Sequence, residues 1–263
     1  MVQEEFAQHV VALIKNDPDV IGLAAGGSFI SGELDEFSDL DLVLITKSQV
    51  AGNRERMIEY AETFGDFLSG FTGEHVGEPR VLICLYDNPL LHVDIKFLTL
   101  AEFGERVENP VVLFERDNLL TDTIAATQAE WPPVDLQWIE DRFWTWIHYM
   151  AQKLGRGEML EAFDGLSFLR MTVLSPLAQL KNRKMPRGVR KVESDLHPAD
   201  MESLKITIAR YETASIIRAL ENAVAMYRSL RRKIFPETIV LRERTEKRSM
   251  EYLKEIKKRL LSS

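Results

Sequence analysis

The dipeptide Pro132-Pro133 divides the sequence into two parts with different patterns of apolar residues. Before it, short apolar runs alternate with amphipathic stretches, which predicts a mixture of strands and helices. After it, apolar residues recur at helical spacing and the strand pattern nearly vanishes. Because proline interrupts regular structure, we expect an α+β domain over residues 1–130 and an all-helical bundle domain over residues 134–263. The alternative is one α+β domain with trailing helices.

The predicted elements follow from this periodicity. We expect strands at VIGLAA, LDLVLI, RVLICLY, LLHVDIKFL and VVLFER. We expect helices over residues 2–16, 54–68, 135–153, 157–182, 198–233 with interruptions, and 237–261.

Charge is distributed unevenly between the two parts. Residues 1–130 contain 8 Lys and Arg against 24 Asp and Glu, a net charge of −16, whereas residues 131–263 contain 25 against 17, a net charge of +8. The acidic first part disfavours a nucleic-acid partner and favours metal ions or cationic small molecules. The basic second part offers contacts to phosphate.

Cysteine content and hydropathy exclude other classes. The single cysteine, Cys84, cannot form a disulfide framework or a cysteine-based zinc site within one chain. The N-terminus MVQEEFAQHV is acidic where a secretory signal is basic, and no apolar run approaches the ~18 residues of a membrane span. We therefore expect a soluble, cytoplasmic protein with no membrane partner, as a monomer or homodimer.

The stretch GGSFISGELDEFSDLDLVLI carries the residues with chemical potential. Asp39 and Asp41 are two residues apart at the start of a predicted strand, so they project from the same face. Two such carboxylates repel each other unless a cation lies between them, and oxygen ligands suit Mg²⁺. The turn at Gly27 and Ser28 lets backbone N–H groups approach a phosphate, and a helical turn starting at Ser28 would add a favourable dipole. The alternative for SDLDL is an Asx-turn that leads into the strand.

A third acid, Asp94, lies inside the apolar run LLHVDIKFL, where a carboxylate without a partner would cost several kcal/mol. If its strand neighbours the strand of Asp41, the three aspartates form one cluster. Such a cluster suits two-metal phosphoryl transfer. The alternative is a structural acid paired with His92 or Lys96.

This combination resembles the signature of the polymerase-β-like nucleotidyltransferases, namely Gly-Ser, a gap of ten residues, Asp-x-Asp, and a third carboxylate on a later strand. With a helical second part, the chain resembles the aminoglycoside adenylyltransferases and the lincosamide nucleotidyltransferases. The segment KLGRGEMLEAFDGLSFLR is similar to part of the helical half of some of those enzymes. The resemblance implies a nucleotidyltransferase domain with a mixed sheet and flanking helices, followed by a helical domain that binds the acceptor.

The activity that the resemblance implies is transfer of AMP from ATP, with Mg²⁺, to a hydroxyl group of a small molecule. An aminoglycoside antibiotic is the favoured acceptor because the first part is so acidic. A lincosamide or a metabolite is the alternative acceptor. A regulatory or toxin–antitoxin-type module that modifies or binds a protein partner is the alternative function.

The resemblance also implies roles for individual residues. Asp39 and Asp41 would hold Mg²⁺, and Asp94 would complete the metal site or act as the general base. Gly27 and Ser28, assisted by Ser38, would bind the nucleotide phosphates. Apart from the resemblance, the basic loop KNRKMPRGVRK is expected to bring Arg187, Arg190 or Lys191 to the leaving pyrophosphate, and the alternative is a solvated surface. The acceptor-binding candidates in the helical part are Trp144, Glu140, Asp141 and Glu158. For these four residues the alternative is a structural role, as core packing or as acids near a helix start.

Overall fold

The computed structural model describes residues 1–262 and divides into two compact units, Met1–Pro132 and a second unit that begins at Pro133. The first unit is built from strands and helices, and the described part of the second is helical, which confirms the predicted fold class. Within residues 1–262, every helix is too short or too polar to cross a membrane.

The first unit contains one mixed six-stranded sheet with the order β3-β4-β5-β2-β1-β6. Its strands are β1 Val20–Ala25, β2 Leu40–Thr46, β3 Asp66–Gly73, β4 Glu78–Asp87, β5 Leu91–Thr99 and β6 Val111–Glu115. Its helices are α1 Val2–Ile14, α2 Ser28–Ser31, α3 Arg54–Thr63, α4 Leu100–Phe103 and α5 Leu119–Ala126. Strands β2 and β5 are parallel, whereas the other neighbouring pairs are antiparallel.

The two faces of this sheet are covered differently. On one face, α1 and α3 pack against alternate residues of the central strands, such as Leu42 and Ile95, and bury them fully. On the other face, α4 and α5 cover one end through a smaller cluster that contains Ile45 and Leu120. Beyond that cluster, β2, β5, β4 and β3 carry half-buried or exposed side chains such as Phe71, which is 52% exposed. This second region is called the open sheet face below.

The structure corrects the sequence prediction at α3 and β3. The helix predicted to reach Leu68 ends at Thr63, and Leu68 belongs to β3. The strand lacks a clear alternating pattern because it lies at the edge of the sheet, contains two glycines and exposes both Leu68 and Phe71. Tertiary pairing with β4 therefore overrides the apolar spacing that favoured a helix.

The helices of the second unit are α6 Leu136–Gly155, α7 Met159–Leu169, α8 Ser175–Lys181, α9 Val192–Asp195, α10 Pro198–Lys205, α11 Thr213–Ile234 and α12 Glu243–Leu261. A π-helical segment, Arg170–Leu174, joins α7 to α8. The helical stretch predicted over residues 198–233 is interrupted between α10 and α11, as expected. Helix α12 begins at Glu243 rather than at the predicted residue 237. The core contains Phe143, whose ring stacks on Tyr227 at 3.7 Å between centroids.

Candidate active site on the open sheet face

Two of the predicted acids lie side by side on neighbouring strands. In the parallel pair of β2 and β5, Asp41 is the register partner of Asp94. Register partners project to the same side of a sheet, and both residues are half-buried on the open sheet face. The strand of Asp94 is therefore the neighbour of the strand of Asp41, which is the arrangement that a shared carboxylate site requires.

Asp39 lies immediately before β2 and lines a groove of about 690 Å³. The other walls of this groove include Glu5, Glu36, Phe37 and His92. We call it the acidic groove. The buried side chain of Gln3 fastens one wall by donating hydrogen bonds to the backbone oxygens of residues 35 and 38, at 2.9 and 2.8 Å. The groove is thus held in place by α1 and borders one of the predicted metal ligands.

The turn after β1 packs directly on Asp41. The N–H group of Gly26 donates a 2.9 Å hydrogen bond to the backbone oxygen of Asp41. Gly27 has a φ of +57°, and a β-carbon at this position would overlap the Oδ2 atom of Asp41. Glycine is therefore required at residue 27 for two reasons, its left-handed φ and the close approach of the Asp41 carboxylate.

Glu108 also contacts this turn, and no feature of the sequence singled it out. Its Oε1 atom accepts a 3.0 Å hydrogen bond from the N–H group of Gly27. The contact follows from the antiparallel pairing of β1 with β6, in which Ala25 faces Val111. Residues just after β1 then lie beside residues just before β6. Glu108 could have been predicted only if the pairing register of β1 with β6 had been known.

Of His92 and Lys96, the two partners predicted for Asp94, the structure pairs His92 with Asp94 and Lys96 with Glu78. His92 Nε2 lies 2.8 Å from Asp94 Oδ1, whereas Lys96 Nζ lies 2.7 Å from Glu78 Oε2. Arg80 also binds Glu78, with Nε 2.7 Å from Oε1. Hydrogen bonding from Arg80, aided by Lys96 and opposed by partial burial, lowers the pKa of Glu78 to about 2. The open sheet face therefore carries an ionised Glu78 at neutral pH, two basic partners and the aspartate pair.

The two serines of the predicted phosphate site have different surroundings. Ser28 begins α2, a helix of four residues, and is half-buried. The Ser38 hydroxyl donates to Asp35 Oδ1 at 2.9 Å and accepts from the Asp35 N–H group at 3.0 Å. Ser38 therefore fastens the loop before β2 and lies in the wall of the acidic groove. Cys84 is buried, and burial raises its thiol pKa to about 12, as expected of a core residue.

Glu140 and Trp144, two of the acceptor-binding candidates, lie in the core of the helical unit. They are 0% and 1% exposed. Glu140 accepts hydrogen bonds from Trp144 Nε1 at 3.2 Å, from the Tyr227 hydroxyl at 2.5 Å, from Arg231 NH1 at 3.2 Å and from the N–H group of Arg242 at 2.9 Å. Both residues thus stabilise the fold, and we leave them out of the proposed site.

The other candidates of the helical unit lie at its surface. Asp141 pairs with Arg242 at 2.7 Å and lines a shallow groove of about 340 Å³ that also contains Trp146. Glu158 pairs with Lys153 at 2.6 Å, and this contact lowers the pKa of Glu158. Because both acids already have cationic partners within their own unit, ligand binding would compete with these ion pairs.

The basic residues predicted to contact pyrophosphate lie in the segment between α8 and α9. The N–H group of Arg187 donates to Gln179 Oε1 at 2.8 Å, and Lys191 adopts a left-handed conformation with a φ of 56° directly before α9. Their contribution to nucleotide binding stays a prediction.

The donor chemistry of the aspartate pair fits a magnesium ion. Mg²⁺ is commonly held by one or two carboxylates together with substrate phosphate oxygens and waters, rather than by a complete cage of protein ligands. Asp41 and Asp94, with Asp39 nearby in sequence, offer that oxygen-only set. Within residues 1–262, no group of three or more His, Cys, Asp and Glu side chains is arranged as a metal site, so the single cluster of three aspartates predicted from the sequence is not observed.

No protein-family model matches the chain, and no curated protein matches it. Among solved structures, the chain is similar to an aminoglycoside 6-adenyltransferase from Bacillus subtilis, with 16% identity, a TM-score of 0.43, and coverage of 97% of this chain and 98% of the other.

Two further structures are similar. A nucleotidyltransferase-like protein from Exiguobacterium sibiricum has 15% identity, a TM-score of 0.39, and coverage of 86% of this chain and 74% of that chain. The spectinomycin adenyltransferase AAD(9) from Enterococcus faecialis, solved with ATP and spectinomycin, has 12% identity, a TM-score of 0.30, and coverage of 97% and 99%. Two of these three structures are adenyltransferases, the class of enzyme that the sequence motif resembles, and their identity to this chain is 16% and 12%.

Proposed function

We propose that this protein is a Mg²⁺-dependent nucleotidyltransferase that transfers AMP from ATP to a hydroxyl group of a small molecule. The observation that carries the proposal is the register of Asp41 with Asp94 on adjacent parallel strands, with the Gly27 turn packed against the Asp41 carboxylate. This arrangement brings two oxygen ligands and a glycine turn suited to phosphate together in one place. The aspartate pair without the glycine turn, or the turn without the pair, would not support the proposal.

Asp39 and Asp41 would hold the metal, and Asp94 would either complete its ligands or accept the proton of the acceptor hydroxyl. Gly27 and Ser28 would contact the phosphates. Bound Mg²⁺ would supply neutralisation of the negative charge on the triphosphate. The acceptor oxygen attacks the α-phosphorus of ATP, the bond to the β-phosphate oxygen breaks, and pyrophosphate leaves. The contact between His92 Nε2 and Asp94 Oδ1 would orient the Asp94 carboxylate for either role.

A cationic acceptor, with an aminoglycoside as the first choice, is supported by charge. The acidic groove borders Asp39 and contains Glu5 and Glu36 beside the exposed ring of Phe37. Carboxylates together with an aromatic ring suit a ligand that carries amino groups on an apolar frame. A neutral lincosamide or a metabolite is the alternative acceptor within the same reaction.

The test is mass spectrometry of the products after incubation with Mg-ATP and a panel of aminoglycosides and lincosamides. The variants are Asp41→Asn and, as a control for loss of one surface carboxylate, Asp122→Asn, which changes an exposed acid on α5. We expect one panel member to gain an adenylyl group with the wild type and with D122N. We expect the rate to fall by roughly 10³-fold in D41N, which corresponds to several kcal/mol of lost transition-state stabilisation.

Three outcomes would contradict the proposal or parts of it. If D41N folds and transfers AMP at the wild-type rate, the metal assignment is incorrect. If labelled ATP marks a polypeptide while every small molecule stays unchanged, the acceptor is a protein, as in the regulatory alternative. If wild-type protein binds no nucleotide at all, the reaction class itself is refuted.

A further inference from the structure

Glu108 occupies the hydrogen-bond donor that the proposed function assigns to the nucleotide. Its Oε1 atom accepts from the N–H group of Gly27 at 3.0 Å. A β-carbon at Gly26 would lie 3.2 Å from the same oxygen, so the carboxylate rests against two successive glycines. Backbone N–H groups in a glycine turn of this kind are the donors with which proteins bind phosphate oxygens. A carboxylate is the closest mimic of a phosphate that a side chain can offer.

Glu108 and Asp41 both bring a carboxylate to the Gly27 turn. The Asp41 carboxylate approaches Gly27 so closely that a β-carbon there would overlap it, and Glu108 approaches the N–H group of the same residue. Two carboxylates that converge on one glycine repel each other unless hydrogen bonds or a cation offset the repulsion. A triphosphate would add more negative charge at this point. The Glu108 carboxylate and a phosphate therefore cannot share the Gly27 donor without a large electrostatic cost.

We propose that Glu108 is an internal competitor of the nucleotide. In the free protein its carboxylate holds the N–H group of Gly27, and binding of a triphosphate requires Glu108 to release this donor. Glu108 thereby sets the affinity of the phosphate site and favours ligands whose charge is offset by a bound cation. This inference rests on the proposed function, because it assumes that the Gly27 turn binds phosphate.

Two other roles for Glu108 make different predictions. If Glu108 only braces the turn, the amide of Glu108→Gln would keep the hydrogen bond and leave nucleotide affinity unchanged, whereas Glu108→Ala would weaken binding. If Glu108 is a metal ligand, both variants would weaken binding of Mg-ATP and leave binding of metal-free tripolyphosphate unchanged. An internal competitor predicts tighter binding in both variants, for tripolyphosphate as well as for Mg-ATP.

The test is calorimetric titration of the full chain with Mg-ATP and, separately, with tripolyphosphate in the presence of a chelator. The variants are Glu108→Gln, which removes the charge, and Glu108→Ala, which removes the acceptor. The control is Glu105→Gln, which removes the same charge from an exposed residue of the same segment between α4 and β6. Circular dichroism spectra and thermal transitions verify that each variant is folded.

We expect Glu108→Gln to bind tripolyphosphate about tenfold more tightly than wild type, because a neutral amide competes less well for the N–H donor than a carboxylate. Glu105→Gln should change this affinity much less. Equal affinities for E108Q and E105Q, or weaker binding by E108Q, would refute the inference and leave the proposed function standing. If neither the wild type nor any variant binds either ligand, the phosphate site is refuted and the inference falls with it.

Discussion

Each unit of the protein contains acids predicted from the sequence to be functional, and these acids differ in burial and in the hydrogen bonds that they accept. Asp41 and Asp94 lie half-buried on neighbouring strands, on a face of the sheet that helices leave open. Glu140 is fully buried in the helical unit and accepts hydrogen bonds from three side chains and from the N–H group of Arg242. The first pair is arranged to meet a ligand, and the second acid is arranged to hold helices together.

The difference shows that burial and donor supply, rather than residue type, separate these roles. A carboxylate that already has four donors in a dry environment gains little from a ligand and loses much by leaving its partners. A half-buried carboxylate beside a glycine turn keeps room for a cation or a substrate. Substitution of a ligand-binding acid should therefore lower activity, whereas substitution of a buried structural acid should lower stability.

Asp94→Asn should have the largest effect, and the effect should be on catalysis. Removal of a charge that holds the metal or accepts the proton should lower kcat by roughly 10³- to 10⁴-fold. The thermal transition should stay close to that of wild type, because an amide fits the same half-buried position. Initial rates of AMP transfer and a thermal melt on the same sample provide the two measurements. If D94N melts at a much lower temperature than wild type but keeps the wild-type rate per folded molecule, Asp94 is a structural acid, as Glu140 is.

Glu140→Ala should show the reverse pattern. It leaves the Tyr227 hydroxyl and the Trp144 indole N–H without their buried acceptor and removes one of the two carboxylates that bind Arg231, so we expect a loss of about 3 kcal/mol in the free energy of unfolding. Urea denaturation followed by tryptophan fluorescence measures this loss, and three of the four tryptophans, Trp138, Trp144 and Trp146, lie in the helical unit. An unfolding free energy within 1 kcal/mol of wild type would contradict the structural role, since removal of a saturated buried charge costs roughly 3 kcal/mol or more.

Much of the fold could be predicted from the sequence because its main elements are locally encoded. The run VIGLAA is the buried strand β1, and the run after Asp39 is β2, since both runs are mainly apolar and the second contains β-branched residues. The break at Pro132-Pro133 lies where the helical pattern starts. Strand β3 could not be recognised, because an edge strand with two glycines and exposed apolar residues has no periodic signature.

The candidate site was predictable only where its residues are close in sequence. Asp39, Asp41 and the Gly27 turn fall within one short stretch, and the strand pattern around Asp94 made its proximity plausible. Glu108 and the parallel register of Asp41 with Asp94 depend on which strands become neighbours in the sheet. The helical spacing of α6 could have separated Glu140 from Asp141, because Glu140 lies three and four residues before the buried Phe143 and Trp144, whereas Asp141 lies outside this apolar stripe.

Glu78→Gln tests the electrostatics of the open sheet face and should have a moderate effect. Because the pKa of Glu78 is lowered to about 2 in the folded state, its ionised form stabilises the fold above the ordinary carboxyl pKa. This stabilisation is lost as the pH falls from about 4.5 towards 2. We expect a loss of about 1 kcal/mol at pH 7, reduced by solvent screening of the partly exposed group.

The measurement is urea denaturation of wild type and E78Q at pH 7 and at pH 3. The difference in unfolding free energy should be larger at pH 7 and should shrink at pH 3, where most of the wild-type Glu78 becomes protonated on unfolding. A difference that is equal at both pH values would show that Arg80 and Lys96 do not stabilise the charge of Glu78. The basic residues on the open sheet face would then be available to other anions.

Asp141→Asn should have the smallest effect, and it isolates burial as the deciding variable because Asp141 follows Glu140 directly on α6. Its ion pair with Arg242 is exposed to solvent, so screening and side-chain entropy offset most of the attraction. We expect the urea midpoint of D141N to equal that of wild type within error, while the adjacent Glu140→Ala is strongly destabilised. If D141N is destabilised as much as E140A, accessibility does not separate structural from ligand-binding acids in this protein. Asp141 would then have to be removed from the acceptor-binding candidates for the same reason as Glu140.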